Sequence, residues 1–185
     1  MELFVQNYIQ KNMELLNALD PISVAKIIAE FGKARENSKR IYAIGNGGSA
    51  STASHFVVDM GKGASLGREK RFKTIPLTDN VEWITALSND LCYEDVYVEQ
   101  LKNFAEPGDV LLAISGSGNS ENVLRAVAYA NKVGCVTIGF TGFQGGKLKN
   151  LVQHCIVVPS NHMGRIEDMH VILQHMICYY YMEQA

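Results

Sequence analysis

The chain has 185 residues and a formal net charge of −2, from 17 lysines and arginines and 19 aspartates and glutamates. This length suits one domain with a full hydrophobic core. The charge gives no basic field for nucleic acid, and no apolar run approaches the ~20 residues of a membrane helix. The N-terminus lacks a secretory pattern, and the four cysteines are widely spaced. We therefore expect a cytoplasmic protein with no nucleic-acid or membrane partner.

The first part of the chain predicts two helices. Apolar side chains recur at helical spacing over residues 2–18, and a second helix begins after Asp20 with Pro21, which suits a first helical turn. Their apolar faces need a partner. We expect residues 1–37 to form a helical pair that packs at subunit interfaces, and residues 38–185 to form an α/β core in the same domain.

The rest of the chain alternates short apolar strands with helices. The predicted strands are 41–44, 72–77, 110–114, 135–140 and 155–158, and the predicted helical segments are 49–60, 78–90, 93–104, 121–133, 147–152 and 165–182. The glycine-rich residues 61–67 are expected to form a flexible, exposed loop. Such alternation predicts a parallel sheet with helices on both faces, which binds ligands at the carboxyl ends of its strands.

Two loops rich in glycine and serine follow predicted strands. They are residues 45–49, Gly-Asn-Gly-Gly-Ser, and residues 115–120, Ser-Gly-Ser-Gly-Asn-Ser. A glycine turn that leads into a helix directs backbone N–H groups at an anion. Neither loop has the glycine spacing of a dinucleotide site or the lysine of a P-loop. Because both loops leave the same edge of the sheet, we expect them to hold one monophosphate between them.

Two helices carry side chains that suit acid–base or metal chemistry. His55 and Asp59 stand four residues apart and share a helix face, although for this pair taken alone we favour a hydrogen bond from His55 to a neighbouring backbone group. Glu167 and His175 stand eight residues apart, about 12 Å along one helix. If both serve the same kind of site, one must come from another copy of the chain. Packing beside its helical neighbours is the alternative role for His175.

Three further positions have two interpretations each. Asn89 and Asp90 lie near the expected ligand edge, or they only end a helix. Arg165 either meets a phosphate or caps a carbonyl, and we favour the cap. His170 shares a face with Glu167, or it makes a hydrogen bond between helices.

The order and spacing of these motifs resemble those of the sugar isomerase (SIS) domain family, and more narrowly of its phosphoheptose isomerases. The motifs are residues 45–49, His55-Phe56, residues 115–120 and residues 165–170, and the resemblance covers nearly the whole chain. It implies a flavodoxin-like or Rossmann-like three-layer α/β/α sandwich around a five-stranded parallel sheet. It also implies a homotetramer with active sites between subunits.

The resemblance further implies an activity and a set of site residues. The activity is conversion of sedoheptulose 7-phosphate to D-glycero-D-manno-heptose 7-phosphate by proton transfer through an enediol, with Asp59 and His175 as the catalytic pair. The implied substrate-binding residues are Ser49, Ser115, Ser117 and Ser120 for the phosphate, with Asn46, Gly47, Gly48, Asn89, Asp90, Gly116 and Glu167. The implied ligands of one Zn²⁺ per subunit are His55, Asp59, Glu167 and His175, and no nucleotide cofactor is implied.

The chain departs from the family pattern at two of these positions. Asp59 stands where glutamate is usual, so its carboxylate reaches about 1 Å less far, a misplacement that can cost ~10²-fold in rate. Glu167 stands where glutamine is usual, so it either strengthens a metal site or takes over as base. The alternatives are a non-catalytic member of the DnaA initiator-associating type and a phosphosugar-binding regulator. The acidic Asp59 and the presence of His175 favour the enzyme.

Overall fold

The computed structural model describes residues 1–184 and contains five strands and eight α-helices in that range. The strands are β1 (Arg40–Gly45), β2 (Lys73–Pro76), β3 (Val110–Ile114), β4 (Val136–Thr141) and β5 (His154–Val157). The helices are α1 (Glu2–Asn17), α2 (Pro21–Glu36), α3 (Gly48–Val58), α4 (Val81–Asp90), α5 (Val98–Phe104), α6 (Glu121–Val133), α7 (Leu148–Leu151) and α8 (Met163–Glu183). The sheet is parallel, in the order β2-β1-β3-β4-β5, which confirms the predicted fold class.

Alternation along β1 explains why the sheet has a core on each face. Ile41 and Ala43 pack on one face with side chains of α2, α3 and α8. Tyr42 and Ile44 pack on the other face with side chains of α5 and α6. Successive side chains of a strand point to opposite faces, so a strand covered on both sides is apolar throughout. The central strand β3 is accordingly buried at every position.

The helix pair at the N-terminus forms as the sequence predicts. Asp20 caps α2 by accepting hydrogen bonds from the N–H groups of Ile22 at 3.0 Å and Ser23 at 3.2 Å, and Pro21 occupies the first turn. By contrast, α1 has no buried residue. Its apolar side chains therefore lie exposed in one protomer, and their place at a subunit interface stays a prediction.

Residues 61–67 are only in part the exposed loop that the sequence predicted: Lys62, Gly63, Leu66 and Gly67 are exposed, but the segment forms turns and buries Ala64 and Ser65. A π-helical turn over Asp59–Gly63 continues α3. Ser65 is fully buried. Its hydroxyl donates to the Met60 carbonyl at 2.8 Å and accepts from the Phe72 N–H at 3.0 Å. These bonds satisfy a polar side chain in the interior, which glycine content alone did not reveal.

Two helix predictions also need correction. Residues 93–104 form a 3₁₀ turn over Tyr93–Asp95 followed by α5, not one helix. The C-terminal helix begins at Met163, earlier than predicted, because the His162 side chain accepts from the Arg165 N–H and caps it. Within residues 1–184, no helix is long and apolar enough to cross a membrane.

His170 is buried where α8 meets the end of β4. Its Nε2 lies 3.3 Å from the Thr141 carbonyl oxygen. A carbonyl can only accept, so Nε2 carries the proton and the bond ties the helix to a strand. Burial lowers the pKa of His170 from 6.5 to about 4, so the ring is neutral at neutral pH.

Acidification is therefore expected to destabilise the protein through His170. A folded-state pKa below the ordinary value gives stability that is present above about pH 6.5 and is lost as the pH falls toward about 4. Between about pH 7 and about pH 5, this group should remove about 2 kcal/mol from the free energy of unfolding. Urea unfolding at both pH values measures the loss in wild type and in His170→Leu. The variant should lose about 2 kcal/mol less than wild type, and equal losses would show that His170 is not the cause.

Candidate active site

The first glycine loop joins β1 closely to α3. A Cβ on Gly45 would lie 2.6 Å from the Ser49 carbonyl oxygen, so a larger residue would push the helix away. Gly47 has a φ of +55°, which favours glycine. The N–H groups of Ser49 and Ala50 each donate at 3.0 Å, to the carbonyls of Asn46 and Gly47. The turn itself therefore satisfies N–H groups that we expected to face an anion.

The second loop, residues 115–120, joins β3 to α6. Gly118 has a φ of +65°, and a Cβ there would lie 2.2 Å from the Gly145 carbonyl oxygen. The hydroxyl oxygens of Ser115 and Ser120 lie 3.4 Å apart. Ser120 precedes α6 without capping it through its side chain. Its hydroxyl therefore remains available to a ligand.

The two loops and the first turn of α8 surround a cavity of about 160 Å³. Its lining is mostly hydroxyl and amide groups, and consists of Asn46, Ser49, Ile114, Ser115, Gly116, Ser117, Ser120, Met163 and Glu167. Hydroxyl donors around a small volume suit the oxygens of a phosphate group. Gly48 lies beside this cavity, where an added Cβ would meet Glu167 Oε1 at 3.2 Å, whereas a Cβ on Gly47 would meet no atom of residues 1–184 within 4 Å.

Asn46 is held by residues that the sequence analysis missed. Its amide pairs in both directions with the amide of buried Asn122, at 2.9 and 2.8 Å. Its Oδ1 also lies 3.0 Å from the Tyr93 hydroxyl and 3.2 Å from the Tyr97 hydroxyl. Burial raises the pKa of Tyr97, so this hydroxyl stays protonated. The signal that could have found Asn122 is its place in the first turn of α6, directly after the second loop.

A second polar group lies farther along α3 and α8. Asp59 Oδ2 is 3.3 Å from His55 Nε2 and 3.7 Å from His175 Nε2, and the two imidazole rings are 5.0 Å apart. All three side chains belong to the same chain. The structure therefore brings His175 to the predicted His55–Asp59 pair, which sequence spacing could not show. We call these three residues the His–Asp cluster.

The His–Asp cluster fits a divalent metal ion. One ligand atom from each residue lies within 4.8 Å of the others. Imidazole nitrogen and carboxylate oxygen bind Zn²⁺ at about 2.0–2.2 Å, and three such protein ligands leave a fourth position for substrate or water. Glu167 does not belong to this group within residues 1–184, because it lines the serine cavity instead.

The serine cavity and the His–Asp cluster are separate parts of one chain. Glu167 and His175 are eight residues apart in one continuous α8, about 12 Å along its axis. Asn89 and Asp90 belong to neither group: they are exposed at the end of α4, where the Asn89 amide donates to Asp90 at 2.8 Å. Arg165 neither lines the cavity nor caps a carbonyl in residues 1–184, and its guanidinium lies 5.1 Å from the centre of the Tyr8 ring.

Comparisons with known proteins identify the family of this chain. A family model described as the SIS domain matches residues 7–142. A phosphoheptose isomerase from Aliarcobacter butzleri is 39% identical over 94% of this chain and 89% of its own length. A probable phosphoheptose isomerase from Thermoplasma acidophilum is 39% identical over 85% of this chain and 87% of its own length. The solved phosphoheptose isomerase from Neisseria gonorrhoeae superposes with a TM-score of 0.90 at 27% identity, covering 100% of this chain and 99% of that one.

Proposed function

The chain belongs to the SIS domain family and to its phosphoheptose isomerases, and from this we propose that it isomerises sedoheptulose 7-phosphate to D-glycero-D-manno-heptose 7-phosphate. The observation that carries the proposal is the meeting of Ser49, Ser115, Ser117 and Ser120 in one small cavity. The neighbouring Asn46 has a fixed amide, so it can orient a sugar hydroxyl. A phosphate held there would anchor the sugar by the end that does not react.

The serine cavity binds the phosphate in this proposal, and the His–Asp cluster carries out the proton transfer. The Asp59 carboxylate would remove the proton next to the sugar carbonyl and produce an enediol. The His175 imidazole would then move a proton between the two oxygens as general acid and base, and Asp59 would return its proton to the former carbonyl carbon, which gives the aldose. His175 Nε2 and Asp59 Oδ2 lie 3.7 Å apart, so both groups can act on the same pair of carbon atoms.

A divalent metal held by His55, Asp59 and His175 would supply Lewis-acid polarisation of the sugar carbonyl. Zn²⁺ suits this donor set of two imidazoles and one carboxylate. Side chains that bind a metal are not free to take protons. In that case Glu167, which also lines a second cavity beside Gly48 and Ser51, is the carboxylate available as base.

The separation of cavity and cluster supports an active site between subunits of a homotetramer. About 12 Å along α8 divides the phosphate end from the acid–base end within one chain. A sugar phosphate bound in one protomer would therefore meet the His–Asp cluster of another.

The absence of a nucleotide fingerprint in either loop leaves no place for a nucleotide cofactor in this scheme. Four free cysteines agree with work in the cytoplasm.

The exposed face of α1 offers a test of this assembly. Ile9 and Met13 stand four residues apart on one face of α1 and are 55% and 54% exposed, and apolar side chains on one helix face need a partner. We expect wild type to be a tetramer by analytical ultracentrifugation. Ile9→Asp/Met13→Asp should give smaller species that keep their helical circular dichroism and lose turnover. The matched control is Gln10→Asp, on the polar side of α1, and it should remain a tetramer. A tetrameric double variant, or a monomeric wild type, would contradict the assembly.

The function itself is tested by turnover. Purified, metal-supplemented protein should convert sedoheptulose 7-phosphate into a heptose 7-phosphate that ¹³C NMR distinguishes from it. Calorimetric titration of the same sugar phosphate provides the second readout. Binding without conversion would favour a phosphosugar-binding regulator, and neither binding nor conversion would favour a non-catalytic member of the DnaA initiator-associating type.

A further inference from the structure

A polar contact attaches α1 to α8. The Tyr8 hydroxyl and the Asn12 amide each donate to Asp168 Oδ2 at 2.7 Å. Leu15 adds an apolar contact one turn further along. Because α1 has no buried residue, hydrogen bonds to a carboxylate, which are stronger than those between neutral groups, fix its position on the protomer. We call Tyr8, Asn12 and Asp168 the Asp168 clamp.

Contacts around Tyr8 and Asn12 hold the side chains of the clamp in one arrangement. The hydrogen bond from Tyr8 to Asp168 raises the pKa of Tyr8, so the hydroxyl remains a donor. Asn12 Oδ1 is buried and has no partner in residues 1–184. An unpaired buried acceptor is costly. The orientation of the Asn12 amide is therefore set by the hydrogen bond that its NH₂ group donates to Asp168. The Arg165 guanidinium lies over the ring of Tyr8, the other donor to Asp168.

The part of α8 that carries the clamp also lines the serine cavity. Met163 and Glu167 line the serine cavity, and Asp168 directly follows Glu167 in the chain. The start of α8 packs tightly on the second loop: a Cβ on Gly116 would lie 2.5 Å from Met163 Sδ. Ile166 likewise leaves no room for a Cβ on Gly142, which would lie 2.3 Å from it. A shift in this first turn of α8 would therefore move part of the cavity wall.

We propose that Asp168 is a positioning residue of the isomerase site, which couples the placement of α1 to the placement of Met163 and Glu167 in the cavity. A neighbouring face of α1, with Ile9, Met13 and Leu16, is apolar and exposed in one protomer. Whatever α1 packs against in the assembly therefore acts on the cavity through the clamp. This inference rests on the proposed function for its substrate, and it makes a separate claim about phosphate affinity.

The experiment compares Asp168→Ala, Asp168→Glu and Tyr8→Phe with wild type. We expect the KM for sedoheptulose 7-phosphate to rise about tenfold in Asp168→Ala and about threefold in Tyr8→Phe, with kcat changed by less than about twofold. Asp168→Glu, which keeps an acceptor for both donors, should restore most of the wild-type KM. The matched control is Tyr129→Phe, a half-buried tyrosine of α6, and its KM should not change.

Inorganic phosphate is the second probe, and it separates this proposal from the proposed function. Its affinity, measured by calorimetry, should fall in Asp168→Ala and Tyr8→Phe by the same factors as the KM rises. A wild type that binds phosphate without turning over the sugar would overturn the function while the variants still test the clamp. Unchanged phosphate affinity in Tyr8→Phe and in any folded Asp168→Ala would overturn the clamp. So would a loss in Asp168→Ala that Asp168→Glu does not rescue.

Discussion

Replacement of His175 or Asp59 by alanine is expected to lower kcat by about 10³-fold, with a much smaller change in KM. General acid–base catalysis contributes roughly 10²–10⁴-fold in enzymes, and each of these variants removes one member of a pair that lies 3.7 Å apart. Substrate binding should persist, because the serine cavity lies on other turns of α3 and α8. Steady-state kinetics with sedoheptulose 7-phosphate measures both constants.

Metal content and a matched histidine complete this experiment. His55→Ala, His175→Ala and Asp59→Ala should each lose bound metal, measured by elemental analysis, because each removes one of the three ligands that cluster within residues 1–184. His154→Ala is the control, since this histidine begins β5 outside both polar groups. It should keep metal and turnover. Equal turnover in all of these proteins would show that the His–Asp cluster is not the catalytic site.

Two carboxylate variants decide which group is the base. If Asp59 is the base, Asp59→Glu should retain turnover or exceed wild type, because the longer side chain regains about 1 Å of reach. Glu167→Gln should then lose little. If Glu167 is the base, Glu167→Gln should lose about 10³-fold while Asp59→Ala loses mainly metal-dependent activity. These patterns are mutually exclusive, so one set of rates distinguishes them.

The fold could be predicted because its signals are local. Apolar runs such as 110–114 and 41–44 became the buried strands β3 and β1, and the glycine turns after them became the two loops of the cavity. Helix geometry alone predicted that Glu167 and His175 serve different places in one chain. These inferences need only the period of a strand, the rise of a helix and the conformational freedom of glycine.

The remaining features depend on contacts between residues distant in sequence. Asn122 reaches Asn46 across 76 positions, and Tyr8 reaches Asp168 across 160. Neither contact has a spacing pattern, because the sheet topology creates it. The burial of Ser65 was likewise hidden, since it depends on hydrogen bonds to its surroundings and not on local composition.

Gly118→Ala is expected to lower the free energy of unfolding by roughly 3–5 kcal/mol and to abolish detectable phosphate binding. A φ of +65° costs an L-residue about 1 kcal/mol. The larger part comes from overlap, because the new Cβ would lie 2.2 Å from the Gly145 carbonyl oxygen and 2.7 Å from Thr141 Oγ1. A backbone carbonyl cannot turn aside as a side-chain end can, so the serine loop must separate from the loop after β4.

Gly67→Ala isolates the conformational part of this cost. Gly67 has a φ of +76°, and an added Cβ would meet no atom of residues 1–184 within 4 Å, so only about 1 kcal/mol should be lost. Urea unfolding gives both stabilities, and calorimetry with inorganic phosphate gives both affinities. Because Gly67 lies outside the cavity, its variant should bind phosphate as wild type does. Equal destabilisation of the two variants would mean that backbone strain dominates and that the loops do not interlock. Retained phosphate affinity in Gly118→Ala would mean that the second serine loop does not hold the phosphate.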